Sequence, residues 1–138
     1  MSARLLYRIA AFLFVLFALG HTYGFLHLRA PSAEARAAFD AMNTVHFEVG
    51  GQSFSYGGFY RGFGLSCTVS MLLSAFLSWH LGKLAGSAPA SIGSLGWVFF
   101  AAQIAGGALS FLYFGLPPMV LTTLVAAIIG LAAFRTGR

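Results

Sequence analysis

The chain has 138 residues, 59% of them hydrophobic and 8% charged, with a formal net charge of +5. A soluble domain carries about 25% charged residues, so this composition excludes an ordinary water-soluble core and points to lipid as the main solvent. The single cysteine, Cys67, rules out an internal disulfide and a Cys-x-x-Cys thiol site, and no basic run is long enough to bind nucleic acid.

A bilayer-spanning helix needs about 20 mostly apolar residues. Four segments fit: 5–28, 58–82, 92–115 and 118–134, the last near the lower limit. They predict an all-α, multi-pass, four-helix membrane bundle in one domain covering residues 1–138. Only "GLPP" separates spans three and four, which therefore form a tight antiparallel hairpin, with Pro117 and Pro118 between a helix end and a first turn.

With four spans, both termini and the 83–91 loop share one side. That side carries Arg4, Arg8, Lys83, Arg135 and Arg138 and no acid, while the other has Arg29, Arg36 and Arg61 beside Glu34, Asp40 and Glu48. The positive-inside bias makes the first side cytoplasmic, and a bacterial-type inner membrane is the expected location. Trp79 and Trp97 fall near that face, and Tyr23, Tyr56, Tyr60 and Tyr113 near the opposite one, as interfacial belts require. Arg4 and Arg8 ahead of "IAAFLFVLFALG" also resemble a secretory signal, with "AEA" at 33–35 as a small-residue site. That site is far from the apolar run, and the remaining spans favour retention as a first transmembrane helix.

The 29–57 connection is the one long extracytoplasmic loop. Ser32 after Pro31 is a helix N-cap with Glu34 in the first turn, and Ala35, Ala38, Phe39, Met42 and His46 recur at helical spacing. They predict a short amphipathic helix, lying on the membrane surface or closing over a cavity. After His46 the glycines break regular structure, and the chain re-enters the membrane near Gly58.

Counting in fours from there gives Gly58, Gly62, Ser66, Ser70, Ser74, Ser78, Gly82 and Gly86. The stripe reads as a helix-packing face, although on a straight helix it drifts about 40° per step.

His21, in "ALGHTYGF", sits about two turns before the polar end of span one, where an ionisable group faces the bundle interior. The bland reading is a neutral histidine bonded to a neighbouring helix. Arg61 enters with span two below Tyr60, where it can snorkel to the interface, pair with Glu48 or Asp40 as a clasp, or hold an anionic or carbonyl group of a ligand. If His21, His46 and Glu48 meet at the outer mouth, they can perform acid–base catalysis. Tyr23, Tyr60, Asp40, Arg61 and Gln103 are the candidate ligand contacts. Haem or a divalent metal at His21 and His46 is a minor alternative, and no cofactor is otherwise expected.

"GH" late in span one, followed by "FYRGFGL" at 59–65, resembles a group of small four-helix bacterial membrane proteins without an assigned activity. The resemblance covers the first two spans, implies the topology and brings no catalytic residue with it. The leading expectation is a membrane protein that binds a lipophilic molecule or a membrane partner in an outward-facing polar pocket. The alternatives are an isomerase, cyclase or hydrolase acting on a terpenoid, sterol or quinone, and an accessory subunit of a homo-oligomer or larger membrane complex.

Overall fold

The computed structural model describes residues 1–137. In chain order they form α1 (Ala3–Leu26), α2 (Ala33–Thr44), β1 (His46–Val49), β2 (Gln52–Ser55), α3 (Tyr56–Ser87), a 3-10 turn (Pro89–Ile92), α4 (Leu95–Tyr113) and α5 (Leu116–Thr136). The fold is therefore helical but for one ribbon, and α1, α3, α4 and α5 are long and apolar enough to cross a bilayer. Large apolar side chains on these helices point outward, among them Phe12 at 64% and Phe76 at 67% exposure. Water would oppose so much exposed apolar area, so the pattern is that of a membrane protein.

Helix limits differ from the expected spans for local reasons. The chain turns through Pro89–Ile92 and Gly93, at φ 50°, before α4 begins. Both prolines lie in the first turn of α5, where a missing backbone N–H breaks no helical bond. At about 1.5 Å per residue, the 32 residues of α3 run well past the roughly 30 Å hydrocarbon core.

Two compact units make up the chain. Residues 1–17 with 71 onward form one, and Ala18–Ser70 the other. The first has a core drawn from all four long helices: Leu6, Tyr7 and Phe14 of α1, Leu81 of α3, Phe99 of α4 and Ile129 of α5 are among its buried residues. The α4–α5 hairpin closes tightly because Gly96 meets Ala133 and Gly130 leaves room for the Phe100 ring.

The second unit contains α2 and the ribbon. Ser32 caps α2, its Oγ accepting the Ala35 N–H at 3.2 Å. The Ser32 side chain, followed by the Glu34 backbone N–H, holds the Glu34 carboxyl below the usual carboxylate range. Along α2 only Ala35, Phe39 and Met42, spaced by four and three, are partly covered.

The segment after His46 is regular, contrary to the expectation from its glycines. β1 and β2 pair antiparallel, with His46 opposite Ser55 and Val49 opposite Gln52. Gly50 at φ 59° and Gly51 at φ 78° supply the two left-handed positions of a two-residue hairpin turn. The glycines that argued against order are what allow the strands to pair. The Phe47 ring lies 6.2 Å from Phe54 across the ribbon and 4.9 Å from Tyr56 at the start of α3.

Candidate functional site

Within the second unit, α1 and α3 meet along a seam that the counting in fours does not follow. His21 donates from Nε2 to the Gly64 carbonyl at 3.0 Å, so that nitrogen carries the proton. The next residue, Thr22, donates to the Ala18 carbonyl at 2.7 Å and accepts at 2.8 Å from Thr68, one turn beyond Gly64. The Phe25 ring lies where a Gly64 side chain would stand. In the first unit the buried α3 positions are Ala75, Ser78, Leu81 and Gly82. Positions 64, 68, 71, 75, 78 and 82 alternate by four and three, the 3.5-residue period of helices packed side by side.

The stripe in fours crosses this seam instead of following it. From Gly62 to Ser78 it winds about 160° around α3. Ser78 and Gly82 are buried, whereas Gly62, Ser66 and Ser70 are on the exposed side. Ser66 donates to the Gly62 carbonyl and Ser70 to the Ser66 carbonyl, both at 2.9 Å, while Ser74 is partly covered. Farther along, Gly82 and Gly86 make room for the stems of Arg8 and Arg4. Gly64→Ala should therefore lower thermal stability by about 1–3 kcal/mol through crowding of Phe25. Gly62→Ala, with nothing within 4 Å of the new methyl, should be neutral or stabilising, as alanine is in an unobstructed helix. Paired melting curves in detergent read the contrast, and equal losses would restore the stripe as the packing face.

Above the Gly64 contact a cleft of ≈ 190 Å³ opens, with Phe25, Leu28, Phe39 and Met42 as its apolar walls and Asn43, Tyr60 and Arg61 as its polar ones. Tyr60 packs on Phe25 with ring centres 5.3 Å apart. Asn43 donates from Nδ2 to the Phe39 carbonyl at 2.9 Å, which leaves Oδ1 to accept from Arg61 Nη2 at 3.2 Å. Arg61 Nε reaches the Gly57 carbonyl at 3.5 Å. A side chain on Gly57 would collide with Asn43 Oδ1, so glycine is needed there for the Asn43–Arg61 bond to form. Among the described residues neither Asp40 nor Glu48 pairs with Arg61. Its partner is a neutral amide in place of the expected carboxylate, because α2 presents Asn43 and not Asp40 to the start of α3.

The other candidates lie off this cleft. His46 donates from Nδ1 to the Thr44 carbonyl at 2.8 Å, and Glu48 sits on β1 opposite Ser53. Tyr23 stacks on His27 at 4.3 Å, with 68% of its surface exposed. Asp40 is exposed, and its carbonyl accepts from Thr44 at 3.0 Å. Gln103 belongs to the first unit, where it borders a cavity of ≈ 310 Å³ between α4 and α5. His21, His46 and Glu48 make their bonds elsewhere than to one another, and among the described residues no cluster of three or more His, Cys, Asp or Glu can hold a metal.

Asn43, Phe25 and Leu28 were not singled out in the sequence. The available signal for Asn43 was an amide four residues after Phe39 at the end of a capped helix, just ahead of the chain's return through Gly57.

These features define a class: a helical protein with four helices long and apolar enough to cross a membrane and a small, arginine-headed cleft. No family model, curated protein or solved structure matches the chain, so its own residues carry the functional argument.

Proposed function

We propose that this is a small multi-pass membrane protein that binds a lipophilic molecule with an anionic or carbonyl head, the head held at Arg61. The supporting observation is the guanidinium at the cleft wall, bonded to Asn43 and unpaired with any described carboxylate. A cation next to apolar walls is stabilised by an acceptor that brings charge or a strong dipole. Arg61 offers the planar fork that carboxylates and phosphates fit, and Phe25, Leu28, Phe39 and Met42 would take the first part of an apolar tail. At ≈ 190 Å³ the cleft is smaller than the roughly 300–1,000 Å³ of enclosing ligand sites. The occupant therefore inserts its head and leaves its tail in the bilayer.

In this reading the side with Arg4, Arg8, Lys83, Arg135 and Arg138 is cytoplasmic by the positive-inside rule. The cleft then opens toward the other face of a bacterial-type inner membrane. The helix α2 rests as an amphipathic element at that interface, with Phe39 and Met42 directed at the ligand. Acid–base catalysis by His21, His46 and Glu48 draws no support from the bonds these residues make.

The test is mass spectrometry of lipids that stay with gently purified protein. Wild type should retain an amphiphile with a carboxylate, phosphate or carbonyl head. Arg61→Gln should lower its retention about tenfold, the equivalent of about 1.4 kcal/mol, because glutamine carries no charge to hold the head. Equal retention by both proteins would refute the proposal.

A further inference from the structure

In the first unit a second arginine has an apolar cavity in front of it. Arg8 lies with Cζ 4.6 Å from the centre of the Trp79 ring, a cation–π contact. Its Nε is buried and has no hydrogen-bond partner among the described residues. From this guanidinium a groove of ≈ 490 Å³ runs between α1 and α3, walled by Phe12, Val15, Leu72 and Phe76 and floored by Ala11 and Ala75. Both floor residues are alanines, buried against the neighbouring helix, where any longer side chain would fill the space. The volume lies inside the roughly 300–1,000 Å³ of ligand sites.

Charge decides what such a groove would select. Residues 1–17 and 71–138 contain five basic side chains and no Asp or Glu, whereas 18–70 hold three of each sign. The whole net charge of +5 therefore belongs to the segments that form the groove, and they offer Arg8 no Asp or Glu side chain. A buried N–H without an acceptor is unfavourable, and a guanidinium bonds phosphate oxygens strongly. We infer that the α1–α3 groove is a binding site for one anionic phospholipid, its phosphate on Arg8 beside Trp79 and one acyl chain between Phe12, Val15, Leu72 and Phe76. A zwitterionic lipid fills the same groove without compensating the charge, so the site discriminates by head group. This assignment is independent of the Arg61 cleft and involves none of its residues.

The experiment uses full-length protein reconstituted in nanodiscs of mixed phosphatidylglycerol and phosphatidylcholine, with retained lipid counted by native mass spectrometry after detergent release. All proteins carry Arg61→Gln, which empties the outer cleft; this parent should keep one phosphatidylglycerol per chain, with at least a tenfold preference over phosphatidylcholine. Arg8→Gln should abolish the preference, and Val15→Trp, which fills the groove from its exposed rim, should remove the retained lipid while leaving Arg8 in place. A photoreactive phenylalanine at position 76 should form a lipid adduct. The assignment is overturned if the Arg61→Gln parent retains the two lipids equally, or if both variants keep phosphatidylglycerol as that parent does. A protein–protein adduct at position 76 would also overturn it, giving the groove to a partner helix.

Discussion

Gly96→Ala should destabilise this protein more than any other single-methyl addition to its helices, by about 3 kcal/mol, the upper end of the overpacking range. A methyl there would meet the Tyr7 hydroxyl at 2.8 Å, the Ala133 Cβ at 3.3 Å and Ile92 Cγ2 at 3.4 Å. None of the three can retreat. Tyr7 is 0% exposed, and Ala133 and Ile92 are 2% exposed. Gly64 and Gly130 differ, because each faces the edge of an aromatic ring only partly covered by its surroundings. Thermal unfolding in detergent measures the loss, and Tyr7→Phe, which deletes the atom in closest contact, should recover part of it. An unchanged melting temperature for Gly96→Ala would mean that α4 does not pack on α1 and α5 as described.

The second large effect concerns the cleft and not the core. Gly57→Ala should lower retention of the bound amphiphile tenfold or more, with a smaller change in stability. The new methyl takes the place of Asn43 Oδ1, with the Met42 carbonyl at 3.2 Å behind it. Asn43 must swing away, and Arg61 loses the acceptor that fixes its direction. Because both substitutions act through one bond, Asn43→Ala and Gly57→Ala should be strongly non-additive. Retained lipid, measured for each single variant and for the double, closes the cycle. Full additivity would show that Asn43 and Gly57 affect the cleft by separate routes.

The four long helices were legible because their signal is compositional. A run of apolar residues reads as a span whatever its neighbours are, and the few polar interruptions mark the connections. The helix α2 was legible through Ser32, Glu34 and the 35, 39, 42 spacing. The hairpin was hidden by a choice between two meanings of Gly50-Gly51. Glycine breaks helices, but a glycine pair between short alternating runs also builds the left-handed turn that a ribbon requires. The stripe in fours matches the covered face of α3 only in part: Ser78 and Gly82 are buried, whereas Gly62, Ser66 and Ser70 are exposed. A repeat of four drifts around a helix of 3.6 residues per turn, while the covered positions 64-68-71-75-78-82 include Thr68 and Met71, which no single small-residue rule collects.

The cleft was half legible. Tyr60 and Arg61 stood out because polar groups are rare in this chain. Phe25 and Asn43 did not, because their roles depend on side chains that are missing: Gly64 admits the Phe25 ring, and Gly57 admits the Asn43 amide. A contact made possible by an absent Cβ has no local pattern in the sequence. His21 was correctly marked as a group that must find a partner inside the protein. Its partner is the Gly64 carbonyl, the bland outcome, and it ties α1 to α3 at the base of the cleft.

The central claim is that the Arg61 cleft receives the anionic or carbonyl head of an amphiphile, for which a carboxylate is the test head. Labelling in intact membranes tests it most directly, using a fatty acid with a photoreactive group next to its carboxylate, followed by peptide mapping. Adducts should concentrate on Phe39, Met42 and Tyr60, compete with unlabelled fatty acid and disappear in Arg61→Gln. Labelling of those residues no greater than that of the exposed apolar α4 and α5 surfaces, and indifferent to Arg61→Gln, would contradict the claim.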